Sequence, residues 1–130
     1  MGQDDLSPRA VRTLIGDEAI VGFSTHTLEQ IDAALSEPIS YFAVGPVFQT
    51  TTKATGYDAV GLARVRIAAE RGRSRGLPVV AIGGITLDSA ADVLAAGVSS
   101  VAVISDLLTG GNPEGRVRAY LQRLGTINKV

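Results

Sequence analysis

Four short apolar runs, at residues 19–23, 39–44, 77–82 and 100–104, each give way to a stretch with helical periodicity, and this alternation constrains the fold more than any single motif. A helix placed between two strands returns the chain to the end of the sheet where the first strand began. Such strands therefore pair in parallel, through right-handed crossovers. Local signals mark the joints. Ser7-Pro8 starts an opening helix, serine as N-cap and proline at its first position, which ends near Gly16 and places Val11, Leu14 and Ile15 on one face. Thr27 with Gln30 makes a capping box for a helix that buries Leu28, Ile31, Ala34 and Leu35, and Glu37-Pro38 ends it. A longer helix is predicted over about residues 62–73, with Val65, Ile67, Ala68 and Ala69 inward. Thr86 caps the helix carrying Ala90, Val93, Leu94 and Ala95, and Gly97 stands where a left-handed residue normally closes one. Asn112-Pro113 opens the last helix, whose Val117, Tyr120, Leu121 and Leu124 are expected to close the core.

A chain of 130 residues with 45% hydrophobic and 19% charged residues makes one α/β domain with a core of its own, and no linker divides it. Twelve basic against thirteen acidic residues give a net charge of -1, and three Phe and three Tyr offer little for base stacking, so nucleic acid is not an expected partner. Cysteine is absent, which removes disulfides, thiolate catalysis and zinc–cysteine sites together. No apolar run reaches membrane-spanning length, so the expectation is a cytoplasmic protein with no membrane partner.

The residues able to do chemistry follow the ends of these strands. Tyr41 to Val44 reads as a strand packed on both faces, and Gly45-Pro46 breaks its ladder. Val47 and Phe48 then lead into Thr50, Thr51, Thr52 and Lys53, whose hydroxyls and ammonium suit an anion better than a plain surface turn. Gly83-Gly84 before the Thr86-capped helix is a second candidate, where backbone N–H groups and the positive helix end face one point. Ser24 and Ser105 complete the set, each also explicable as a satisfied strand-end hydroxyl. His26, the single histidine, is assigned no chemistry. In parallel α/β folds the strand C-termini are the ligand end.

Taken together, Ser24-Thr25-His26-Thr27, Gly45-Pro46-Val47-Phe48 with Thr50, Thr52 and Lys53, Gly56-Tyr57-Asp58-Ala59-Val60-Gly61, Ala81-Ile82-Gly83-Gly84-Ile85 and Val101-Ala102-Val103-Ile104-Ser105 resemble thiamine phosphate synthases, in order and spacing. That family is a (β/α)8 barrel, and the resemblance implies its second half: a half barrel of four parallel strands with alternating helices, residues 1–130 forming one N-terminally truncated domain. It implies a transferase that joins a pyrimidine methyl diphosphate to a thiazole phosphate, with Mg²⁺ as cofactor and phosphorylated small molecules as substrates.

By the same resemblance Thr50, Thr52 and Lys53 hold the diphosphate, and Ser24 bridges leaving group and pyrimidine. Ser24 and Lys53 carry the catalysis, while Gly84, Ile104 and Ser105 meet the thiazole phosphate. Asp5, otherwise a solvated carboxylate beside the first helix, matches a Mg²⁺ ligand. Three readings stand beside the synthase. One is a phosphate-binding fragment without turnover, one a half-barrel partner of a split enzyme or a homodimer, and one a thiazole tautomerase-like relative. The last wants an ionisable group near Gly45, where the chain has proline next. An unrelated flavodoxin-like domain is disfavoured, since no phosphate loop follows the first strand. A half barrel is expected to leave two unpaired strand edges.

Overall fold

The computed structural model describes residues 1–49 and 58–127. Four strands, β1 (Gly22–Thr25), β2 (Tyr41–Val44), β3 (Val79–Ile82) and β4 (Ser100–Ala102), alternate with helices α1 (Pro8–Ile15), α2 (Leu28–Ala34), α3 (Gly61–Ser74), α4 (Leu87–Ala95) and α5 (Pro113–Ile127). A kinked 3-10 segment, Ser105–Gly111, separates β4 from α5. The strands pair in parallel in the order β1-β2-β3-β4, which is also their order in the chain. That order matters, because right-handed crossovers between successive neighbours all fall on one face of the sheet. The chain is therefore wound one way only, as in a barrel wall, and not doubly as in a flavodoxin-like sheet.

Side-chain alternation shows the two faces. Phe23, Thr25, Phe42, Val44, Val79 and Ala81 point into the core, where Ile31, Ala34, Val65, Ala68, Ala90 and Val93 of the helices meet them. Gly22, Ser24, Tyr41, Ala43, Val80 and Ile82 occupy the other face and are half-buried. The expectation that β2 is packed on both faces is corrected here: one face of the strand is closed by helices and the other is the concave wall. Phe42 is fully buried at the centre of the covered face. Phe42→Ala is expected to lower unfolding stability by about 3–5 kcal/mol, read as a lower urea midpoint, since a ring-sized cavity there has helices on one side and strands on the other.

The caps form as the sequence predicts. Ser7 Oγ accepts the Ala10 N–H at 3.2 Å, Thr27 and Gln30 exchange both bonds of a capping box, and Asn112 Oδ1 accepts the Gly115 N–H at 3.1 Å. Strand ends differ more. β1 lies further along the chain than expected, so Ser24 and Thr25 are within it, and β4 stops at Ala102.

The apolar stripe expected on α1 does not anchor that helix: Leu14 is 73% exposed and Ile15 half so. Arg12 anchors it instead. Its Nε donates to the Pro38 carbonyl at 2.8 Å and its Nη2 to Ser40 Oγ at 3.2 Å. On α5 Tyr120 is buried, but Val117 and Leu121 are exposed. The β1 edge is also less bare than expected. The Met1 N–H group donates to the Gly22 carbonyl at 3.0 Å and the Ser24 N–H to the Met1 carbonyl at 2.9 Å, a one-residue parallel bridge.

Candidate functional site at the strand C-termini

The ends of β1, β2 and β3 are joined by hydrogen bonds into one rim. Thr25 Oγ1 donates to the Ala43 carbonyl at 2.7 Å, and the Gly45 N–H donates to the Thr25 carbonyl at 3.2 Å. His26 Nδ1 lies 2.7 Å from the Gly45 carbonyl, which ties this histidine to the rim. From Gly45 the belt continues to β3. The Val47 N–H donates to the Ile82 carbonyl and the Phe48 N–H to the Gly83 carbonyl, both at 3.0 Å. The far side of the same loop returns here too, because the Val60 and Gly61 N–H groups donate to the carbonyls of Pro46 and Val47 at 2.8 and 3.0 Å. Thr50, Thr52 and Lys53 lie outside the described residues.

The glycines follow from this lateral packing. A Cβ on Gly45 would overlap the Ile82 carbonyl oxygen, and one on Gly83 would stand 2.5 Å from the Pro46 Cα. Gly84, with φ of 68°, would place a Cβ 2.6 Å from the Gln49 carbonyl oxygen. Gly83 and Gly84 are thus required first by the neighbouring loop, a closer constraint than the approach of a phosphate. Their main chain still leads to the rim, beside the segment that enters the threonine run.

Ser24 projects from the concave face of β1, in one parallel row with Ala43, Val80 and Ser100. Gln3 Nε2 donates to the Ser24 carbonyl at 2.7 Å. Because Met1 runs parallel to β1, the residues after it continue past the strand's C-terminal end. Asp5 therefore stands on the rim, in a turn closed by the Gly2 N–H on its Oδ2 at 2.7 Å. No group of three or more His, Cys, Asp or Glu able to hold a metal occurs among the described residues. A single carboxylate nevertheless fits magnesium, which keeps several waters and takes substrate phosphates as its other ligands. Ile104 is 57% exposed and Ser105 exposed, both at the start of the 3-10 segment after β4.

One buried group at the rim has no counterpart in the sequence reading. Asp106 is 9% exposed, and its carboxylate accepts from the Leu87 N–H at 2.8 Å, from Arg116 Nη2 at 3.0 and 3.1 Å, and from the Tyr120 hydroxyl. Arg116 Nε also donates to the Asp106 carbonyl at 3.3 Å. Burial pushes the Asp106 carboxyl up, but the bonds from Tyr120, Arg116 and the Leu87 N–H outweigh it and hold the group below the usual carboxylate range. Tyr120 is pushed up, by burial first and then by its bond to Asp106. The first-turn N–H of α4 is therefore satisfied by a protein carboxylate. That N–H, at least, is not left for a ligand phosphate. Arg116 and Tyr120 sit four apart on one helical face, but nothing in their spacing names Asp106 as the partner.

The model of the thiamine monophosphate synthase family matches residues 1–107. A thiamine-phosphate synthase of Koribacter versatilis is 45% identical over 95% of this chain, which covers 56% of that relative, and one of Acidothermus cellulolyticus is 41% identical over 95%, covering 58%. The solved thiamine phosphate pyrophosphorylase of Pyrococcus furiosus superposes with a TM-score of 0.85 at 29% identity, over 98% of this chain and 59% of that one. The chain thus spans a little over half the length of these relatives. With the family's model covering all four strands and the start of the segment after β4, the chain belongs to the thiamine monophosphate synthase family.

Proposed function

We propose that this chain serves thiamine phosphate synthesis, supplying the second-half wall of a site that couples a pyrimidine methyl diphosphate to a thiazole phosphate and releases diphosphate. The observation that carries this reading is spatial. Asp5, Ser24, the segment entering Thr50, Thr52 and Lys53, Gly84 and Ser105 all stand at one end of one parallel sheet, and the loops after β2 and β3 are bonded to each other.

The carbon–oxygen bond between the pyrimidine methylene and the diphosphate breaks, the diphosphate keeps the electron pair, and the thiazole nitrogen forms the new bond to that carbon. Such a step needs a stabilised leaving group and an aligned nucleophile more than a strong base. Thr50, Thr52 and Lys53 bind the diphosphate, Ser24 donates between it and the pyrimidine, and the Gly84, Ile104 and Ser105 segments seat the thiazole phosphate. Asp5 is the residue that would hold Mg²⁺, which neutralises diphosphate charge when bound.

The exposed apolar side chains fall into two groups. Leu6, Leu14, Ile15 and Ile20 flank β1, and Ile104, Leu108, Val117 and Leu121 follow β4. These groups sit beside the two ends of the open sheet, and the further length by which the relatives exceed this chain would cover both.

Thiamine phosphate formation from both phosphorylated precursors and Mg²⁺, by the chain together with the first half of the Koribacter versatilis relative, tests the reading. Turnover is expected in the mixture, with Lys53→Ala lowering it by about 10²–10³-fold, as for loss of one group that stabilises developing charge. Asp5→Ala is expected to remove the response to Mg²⁺. Product from the chain alone would show that two copies close the site. An inactive mixture that has assembled, judged by sizing, would sink the proposal.

A further inference from the structure

We infer that Asp106 is a positioning residue, fixing Ser105 against the Gly84–Thr86 turn so that the two loops form one phosphate cradle. The inference rests on the proposal that these loops seat a phosphorylated substrate. Asp106 directly follows Ser105, and the N–H it accepts belongs to Leu87, the residue after Thr86. One carboxylate thus ties the segment after β4 to the segment after β3. Its partners hold it from a third direction. Arg116 grips both carboxylate oxygens and the backbone carbonyl of Asp106, and Tyr120, one turn further along α5, donates to the same oxygen as Leu87.

Helix packing alone does not call for this arrangement. Apolar side chains of similar volume would hold α5 to α4 at least as well as a buried ion pair. What four directed bonds add is orientation, since Arg116 Nη2 shared between both carboxylate oxygens and its Nε on the Asp106 carbonyl tie the side chain and its backbone to one guanidinium. Ser105 is the first residue of the 3-10 segment, so the direction of its N–H and hydroxyl depends on that course. The carboxylate also satisfies the α4 N–H that would otherwise draw the phosphate toward Leu87. The anion is left to the main chain at Gly84 and Ser105.

The test uses inorganic phosphate titrated into the isotope-labelled chain, followed at the Gly84 and Ser105 amides. Saturable shifts at both are expected in the unmodified chain. Asp106→Asn is expected to weaken phosphate binding at least tenfold while the β2 and β3 amide signals stay in place. Arg123→Ala supplies the control for general loosening. Arg123 Nη1 donates to the Leu87 carbonyl at 3.0 Å and to Asp88 Oδ1 at 3.3 Å, so its loss weakens the hold of α5 on α4 without touching Asp106, and phosphate affinity should not change.

Equal affinity in Asp106→Asn and the unmodified chain would overturn the inference and leave the phosphate reading intact. No saturable shift at Gly84 and Ser105 in the unmodified chain would overturn both. Should Asp106→Asn fail to fold, Tyr120→Phe, which leaves the Arg116 and Leu87 bonds, takes its place. About threefold weaker binding is expected there, and unchanged binding would overturn the inference.

Discussion

Gly45→Ala is expected to destabilise the chain by about 3 kcal/mol, the upper range for forcing an atom into a packed site. A Cβ at this position meets the Ile82 carbonyl oxygen, which is backbone and cannot rotate away. That oxygen is also the acceptor for the Val47 N–H, so displacing it loosens the bonds of Val47 and Phe48 to β3. The effect should appear twice. The urea midpoint falls, and amide exchange speeds up at Val47 and Phe48 before it does at Phe42 or Val44. Gly125 of α5 serves as the comparison, because a Cβ there meets nothing within 4 Å. An alanine at 125 should leave stability unchanged or raise it by up to about 1 kcal/mol through better helix propensity. Equal midpoints for the two variants would show that the β2–β3 loop contact is not tight.

Asp106→Ala is expected to cost about 3–5 kcal/mol, the range for removing one partner of a buried pair and leaving the other without it. Arg116, Tyr120 and the Leu87 N–H would all lose their acceptor at once. The pH dependence has a definite sign. Asp106 titrates lower in the folded chain than in the unfolded one. Its contribution is therefore complete above the unfolded value, about 3.9, and is lost as pH falls through the lowered folded value. Urea unfolding followed from pH 6 down to pH 2 should show stability dropping below about pH 4 in the unmodified chain, with a shallower drop in Asp106→Ala. Parallel acid curves for both proteins would mean that Asp106 titrates in the fold as it does in the unfolded chain.

Much of this was written in the chain in local terms. Ser7-Pro8, Thr27 with Gln30, Thr86 and Asn112-Pro113 cap their helices through bonds of three or four residues' reach, and such signals survive without knowledge of the rest of the fold. Parallel pairing followed from the alternation of strand and helix. That Ser24 and Ser105 stand at strand ends followed from the same alternation. The misses share a physical cause, since each depends on residues distant in sequence. Arg12 reaches Pro38 and Ser40, 26 and 28 residues on, and replaces an apolar stripe that periodicity favoured. Asp106 carries no local signal, and only the docking of α5 brings Arg116 and Tyr120 to the carboxylate that Leu87 also bonds. The close packing of Gly83 and Gly84 against Pro46, Phe48 and Gln49 was likewise not legible, because those atoms come from a loop more than thirty residues earlier.

The agreement between strand order and chain order has a consequence for how such a wall can be assembled. Every strand pair in the sheet joins neighbours in sequence, so a cut in any one crossover severs a single connection and no ladder. The sheet is a linear stack, and its stability is close to a sum over adjacent units, as in repeat architectures. New units can be added at either end without rethreading those already present. A protein built this way can be divided between two polypeptides, or joined from two, at the cost of one loop closure, which grows only slowly with the length of the loop.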